Sequence, residues 1–226
     1  MSLFALIRSD YRRFVALGAR RPLKTIFFYQ GLWATFIYRV SNHLYYRTPF
    51  APLRKLARFL CQVARKGIEI LTGISLPPEC EIGEGLYIGH FGTIIISSMT
   101  VIGKNCNLSQ GVTLGVSGRG DQRGAPIIGN RVYIAANAVV AGKITIGNDV
   151  VIGACTVVTT SVPDRAVVVG NPAQIKSFRG SFGHIAYDGM EKDPERLASL
   201  TLSDPQNTDS PGVTQPGSPM LMEDQN

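Results

Sequence analysis

Residues 88–93 read IGHFGT and set one imidazole, His90, among glycines in an otherwise apolar run. A neutral imidazole takes up a proton near neutral pH, so a ring in this place suits general-base chemistry. It also suits a plain structural hydrogen bond in a turn. The other two histidines, His43 and His184, are remote in sequence. Fixed charges gather in a glycine-rich stretch at 115–126, GVSGRGDQRGAP, with Arg119, Asp121 and Arg123. Cys61, Cys80, Cys106 and Cys155 form no CxxC pair. No metal site and no disulfide framework is expected, and they read as reduced thiols of a cytoplasmic protein.

The element that carries His90 has a period. Aliphatic residues fall at Ile128, Ile134, Val140, Ile146, Ile152 and Val158, six residues apart without a slip. Ile102, Leu108 and Leu114 keep that spacing upstream, as do Ile82, Ile88 and Ile94. A glycine or alanine follows many of them, among them Gly83, Gly103, Gly129, Ala135 and Gly147. Period six fits neither an amphipathic helix nor an alternating strand. It fits a solenoid in which each hexad is a short strand plus a turn, with the aliphatic side chain on the axis. Twelve such positions at three per coil predict about four coils.

Charge is distributed unevenly around this core. Residues 1–75 hold 13 Lys and Arg against two acids, Asp10 and Glu69, while the remainder is net −4. Residues 54–71 carry apolar positions at helical spacing and predict a basic amphipathic helix after Pro52. Residues 25–38 contain no charge. They are too few to span a bilayer, but aromatic residues beside arginines suit an interfacial helix. Two readings stand, a helical subdomain with solvated charges or peripheral contact with an anionic membrane at its inner, cytoplasmic face. From Asp188 the aliphatic pattern gives way to Ser, Pro, Gly and Asp, which predicts a disordered tail, with Leu197 and Leu200 as a short helical remnant. The organisation expected is a basic helical region at 1–73, a solenoid at 74–180 and a flexible tail at 181–226.

The stretches IGEGLYIGH, VIGKNCNLSQGVTLG, IIGNRVYIAANAVVAGKITIGNDVVIGACTVV and VPDRAVVVGNPAQI resemble the hexapeptide-repeat acyltransferases. The resemblance is to the serine acetyltransferase-like group, and within it to exopolysaccharide (colanic-acid-type) acetyltransferases. It implies a mainly β fold, a left-handed parallel β-helix, assembled as a homotrimer with acetyl-CoA between neighbouring prisms, no metal and no nucleic acid. It implies that His90 is the general base. Ala136 and Ala154 would let the pantetheine arm lie close, Lys176 would meet a CoA phosphate, and amides near Gly115 would face the thioester oxygen. Three positions depart from the serine-specific pattern. Gly89 and Ser75 stand where that pattern has aspartates, so Glu79 or Glu81 is the expected substitute for orienting the ring. Arg123 keeps an arginine while Gly124 replaces a histidine, leaving Arg123, Asp121 and Ser75 as the acceptor-side candidates. Lost charges argue against a free amino acid and for a sugar hydroxyl of an exopolysaccharide or glycan precursor. Serine O-acetylation is the alternative, and a non-catalytic trimeric scaffold the further one.

Overall fold

The computed structural model describes residues 1–19, 21–47 and 51–202. Three parallel sheets wrap into a triangular prism, with strands numbered in chain order. The first face stacks β1 (Ile74–Ser75), β4 (Ile94–Ile96), β7 (Thr113–Gly115), β10 (Val139–Ala141) and β13 (Val157–Val158). The second stacks β2 (Glu81–Ile82), β5 (Val101–Ile102), β8 (Ile127–Ile128) and β11 (Thr145–Ile146). The third stacks β3 (Tyr87–Ile88), β6 (Asn107–Leu108), β9 (Tyr133–Ile134), β12 (Val151–Ile152) and β14 (Val167–Val169), with β15 (Gln174–Ser177) added antiparallel. The periodic aliphatic residues point inward, as each strand's alternation demands, and Ile88, Leu114, Ile134, Ile146 and Val158 are fully buried.

Five rungs are present rather than about four, because five strands stack on the first face and Val162 bridges to Ile146 on the second. The count missed Ile74 and Val168, which turns of unequal length throw off the six-residue spacing. The slip between the first two blocks lies inside β4, where Ile94 pairs with Ile74 and Ile96 pairs with Leu114. The small residues at the second-to-third edge serve close approach. A Cβ on Gly83, Gly103 or Gly129 would lie 2.7, 2.6 or 2.7 Å from the carbonyl carbon of the next glycine in the stack.

Four helices cap the first rung: α1 (Leu3–Ala16), α2 (Pro22–Phe28), α3 (Gln30–Arg47) and α4 (Ala51–Thr72). The uncharged stretch is not one helix but breaks at Tyr29 between α2 and α3. α3 lies directly on the prism, since a Cβ at Gly31 would stand 1.9 Å from the Ile88 carbonyl oxygen. Asp10 and Arg39, both buried, pair at 2.8 and 3.0 Å, and Arg39 also donates at 2.6 Å to the carbonyls of Ile82 and Gly83. Among the described residues no helix is long and apolar enough to cross a membrane.

The C-terminal segment corrects the expected boundary at 181. Ser181 and Ile185 are buried, and the His184 ring stacks on Tyr133 at 4.8 Å. α5 (Pro194–Thr201) is tied to the prism through Arg131, which pairs with Asp149 at 2.7 and 3.1 Å and reaches Glu195 at 3.2 Å. Composition hides this order because few apolar residues carry it. The expected tail beyond residue 202 lies outside the described residues.

Candidate active site

His90 is exposed where the third face turns into the first. Tyr87, Asn107, Tyr133 and Val151 are register partners across four rungs. Three residues beyond each come His90, Gln110, Ala136 and Ala154, which therefore form one column along this edge. Backbone bonds hold the turns together, Asn137 N to Gln110 O and Cys155 N to Ala136 O, both 2.9 Å. With rungs about 4.8 Å apart, Ala136 and Ala154 stand roughly 10 and 14 Å from His90. An imidazole at the head of an edge whose lower rungs end in two small side chains suits a base above an extended chain.

The turn bearing His90 rests on the end of α4, with Gly92 N donating to Thr72 O at 2.9 Å and Ile94 N to Gly73 O at 3.0 Å. The same end of α4 carries a carboxylate that pairs with Ser75, a pairing that sequence reasoning missed. Ser75 Oγ donates to Glu69 Oε1 at 2.6 Å, and Lys66 Nζ reaches Glu69 Oε2 at 2.6 Å. Burial alone would raise the Glu69 carboxyl, but the hydrogen bonds from Lys66 and Ser75 and the Arg65 charge outweigh it and hold the group below its usual range. The expected substitutes are misplaced: Glu79 and Glu81 lie in the turn from β1 and at the start of β2, across the first face from the His90 edge. Glu69 had a signal, being the lone acid of a basic helix and seated in its last turns, where the helix dipole disfavours it. Gly89 likewise has a reason. A Cβ there would meet Tyr87 Oη at 2.9 Å, and the Tyr87 ring is packed on Phe14 at 4.7 Å.

The remaining candidates are not gathered at His90 within one chain. Gly115 ends β7 on the opposite edge of the first face, and the 116–126 loop leaves from there. That loop is a built hairpin, with Ser117 and Gly124 exchanging two bonds of 3.0 Å and Lys143 Nζ bonding Asp121 O at 3.1 Å. Asp121 and Arg123 are exposed. A side chain at Gly124 would meet Lys143 Cβ at 2.8 Å, which accounts for glycine there. Lys176 is exposed on β15, past the last rung. Burial pushes the Cys80 and Cys106 thiols up to about 12 and about 11, so both stay protonated and unreactive.

Residues 125–160 match the family model "Bacterial transferase hexapeptide (six repeats)". A serine acetyltransferase of Helicobacter pylori is 36% identical over 157 residues, covering 70% of this chain and 87% of the relative. The crystal structure of the Neisseria gonorrhoeae serine acetyltransferase in complex with serine superposes with a TM-score of 0.66 at 28% identity, covering 76% of this chain and 68% of that one. A serine acetyltransferase in complex with CoA superposes with a TM-score of 0.63 at 26% identity, covering 76% and 65%. These likenesses overturn the expected closeness to exopolysaccharide acetyltransferases and, with it, the glycan acceptor. Ser75 bonds the Glu69 carboxylate, and a side chain at Gly89 would meet Tyr87, so these two departures from the serine-specific pattern have local structural reasons.

Proposed function

This chain belongs to the serine acetyltransferase family, and on that premise we propose that it transfers the acetyl group of acetyl-CoA to the side-chain hydroxyl of L-serine. The neutral His90 ring takes the hydroxyl proton as the oxygen attacks the thioester carbon. The tetrahedral intermediate then expels sulfur, which takes the proton back from the imidazolium, giving O-acetylserine and CoA. The Glu69–Ser75 pair positions the ring and offsets its charge while it is protonated. Backbone amides near Gly115 face the oxyanion. Ala136 and Ala154 floor the channel for the pantetheine arm, and Lys176 meets a phosphate of CoA.

The prism is assigned the left-handed winding of its family and a trimeric assembly. In that assembly the loop edge of one prism faces the His90 edge of the next, bringing Arg123 and Asp121 to the acceptor. The observation that carries this reading is the column His90, Gln110, Ala136, Ala154 on one edge.

The test is thiol release from acetyl-CoA with L-serine. His90→Ala should lower kcat by about a thousandfold with an unchanged melting temperature. Full turnover in that variant overturns the base assignment. A folded wild-type protein that ignores L-serine overturns the acceptor.

A further inference from the structure

We propose that the helical region docks on the surface of an anionic lipid bilayer through α2 and the groove beside it. In α2 only Thr25 is buried, while Leu23, Phe27 and Phe28 are 72%, 64% and 72% exposed. Arg21 and Lys24 are exposed among them. Beside α2 lies an apolar groove of about 600 Å³ lined by Phe4, Ile7, Ile26, Trp33, Phe36 and Ile37, with Arg8 also in its wall. Trp33 Nε1 donates to Ile26 O at 2.6 Å, which fixes α2 over α3.

Charge decides what covers this face. Only Asp10 and Glu69 are acidic in residues 1–75. Asp10 is consumed by the buried Arg39, and Glu69 by Lys66, Arg65 and Ser75. Arg12 is met by Asp188 at 3.4 Å. Arg8, Arg21 and Lys24 carry no ion pair among the described residues, and α4 exposes Arg54, Lys55 and Arg58 as well. A second copy would bring cations against cations, which disfavours self-association. A bilayer with anionic headgroups offers the opposite charge at its surface and an apolar layer directly beneath, matching phenylalanines set between basic residues.

Co-sedimentation of the full chain with vesicles tests this. Phosphatidylcholine vesicles containing phosphatidylglycerol should pellet the protein at about 0.1 M salt, with at least tenfold weaker partition onto pure phosphatidylcholine. Arg21→Glu together with Lys24→Glu should weaken partition by at least twentyfold, since each lost cation is worth about fivefold near such a surface. Phe27→Ser with Phe28→Ser should weaken it about tenfold or more through lost apolar insertion. Both double variants should keep the wild-type melting temperature and serine turnover. Failure to pellet with anionic vesicles overturns the proposal, as does partition indifferent to both variants. A phenylalanine variant that loses oligomeric size in gel filtration yet still pellets also overturns it, making the face a subunit interface.

Discussion

Gly31→Ala is the sharpest perturbation the structure offers, because one methyl group must displace a helix. The new Cβ would lie 1.9 Å from the Ile88 oxygen and 2.8 Å from its carbonyl carbon. Ordinary contact needs about 3.4 Å, so α3 must retreat by roughly 1.5 Å. That movement stretches the two 2.6 Å bonds from Arg39 to the Ile82 and Gly83 carbonyls beyond hydrogen-bonding range. Overpacking costs about 1–3 kcal/mol, and each of the two bonds from a buried charge adds about 1.5 kcal/mol or more, so a loss of about 4–6 kcal/mol is expected. For a chain of this size that lowers Tm by roughly 10–20 °C. Ile88 is two residues before His90, so displacement of the base should also reduce kcat by about tenfold to a hundredfold. Thermal unfolding and serine-dependent thiol release read the two effects. The control is Gly67→Ala on α4, where a Cβ meets nothing within 4 Å. It should be neutral or stabilise by about 0.5–1 kcal/mol. A Gly31→Ala protein melting within about 2 °C of wild type with unchanged kcat would refute the seating of α3 on the first rung.

Glu69→Gln removes the carboxylate beneath the His90 turn, and kcat should fall about tenfold while KM for acetyl-CoA holds. Because the folded-state carboxyl titrates below its ordinary value, its contribution to stability is full above the usual carboxylate range and is lost as pH falls through the depressed value. The wild-type margin in Tm over Glu69→Gln should therefore persist at neutral pH and close in acid; a margin that grows on acidification would contradict the pairing. Gly103→Ala places a Cβ 2.5 Å from the Gly129 carbonyl oxygen and should cost about 3 kcal/mol, whereas Gly120→Ala, with nothing within 4 Å of its Cβ, should cost about 1 kcal/mol through its positive φ alone.

The solenoid was legible because its signal is local and repeated: every sixth residue must be aliphatic to fill the axis. His90 was legible for the same reason, since the repeat fixes its register. Single strands of the first and last rungs were not, because Ile74, Val162 and Val168 stand off the six-residue spacing beside turns of irregular length. Of residues 181–202 the short helix around Leu197 and Leu200 was legible, as α5, but its seating on the prism was not. It depends on Arg131 meeting Asp149, Asp193 and Glu195 across long separations, and polar composition carries no trace of such pairing. The acceptor was not legible either, nor was the partner that Ser75 finds in the fold. That partner, Glu69, lies six residues upstream on a different element, and only the fold joins them.

The stacked glycines at the second-to-third edge have a mechanical consequence. Their spacing is set by one peptide group laid directly on another, with Asn130, Asn148 and Asp164 bonding across the turns. That edge behaves like the spine of a bound book: it fixes where the pages meet. His90, Ala136 and Ala154 lie on an opposite margin, where the turns meet through side chains as well as backbone. The margin proposed for acetyl-CoA therefore lies across the third face from the most closely packed seam of the prism, which holds its rungs in fixed register.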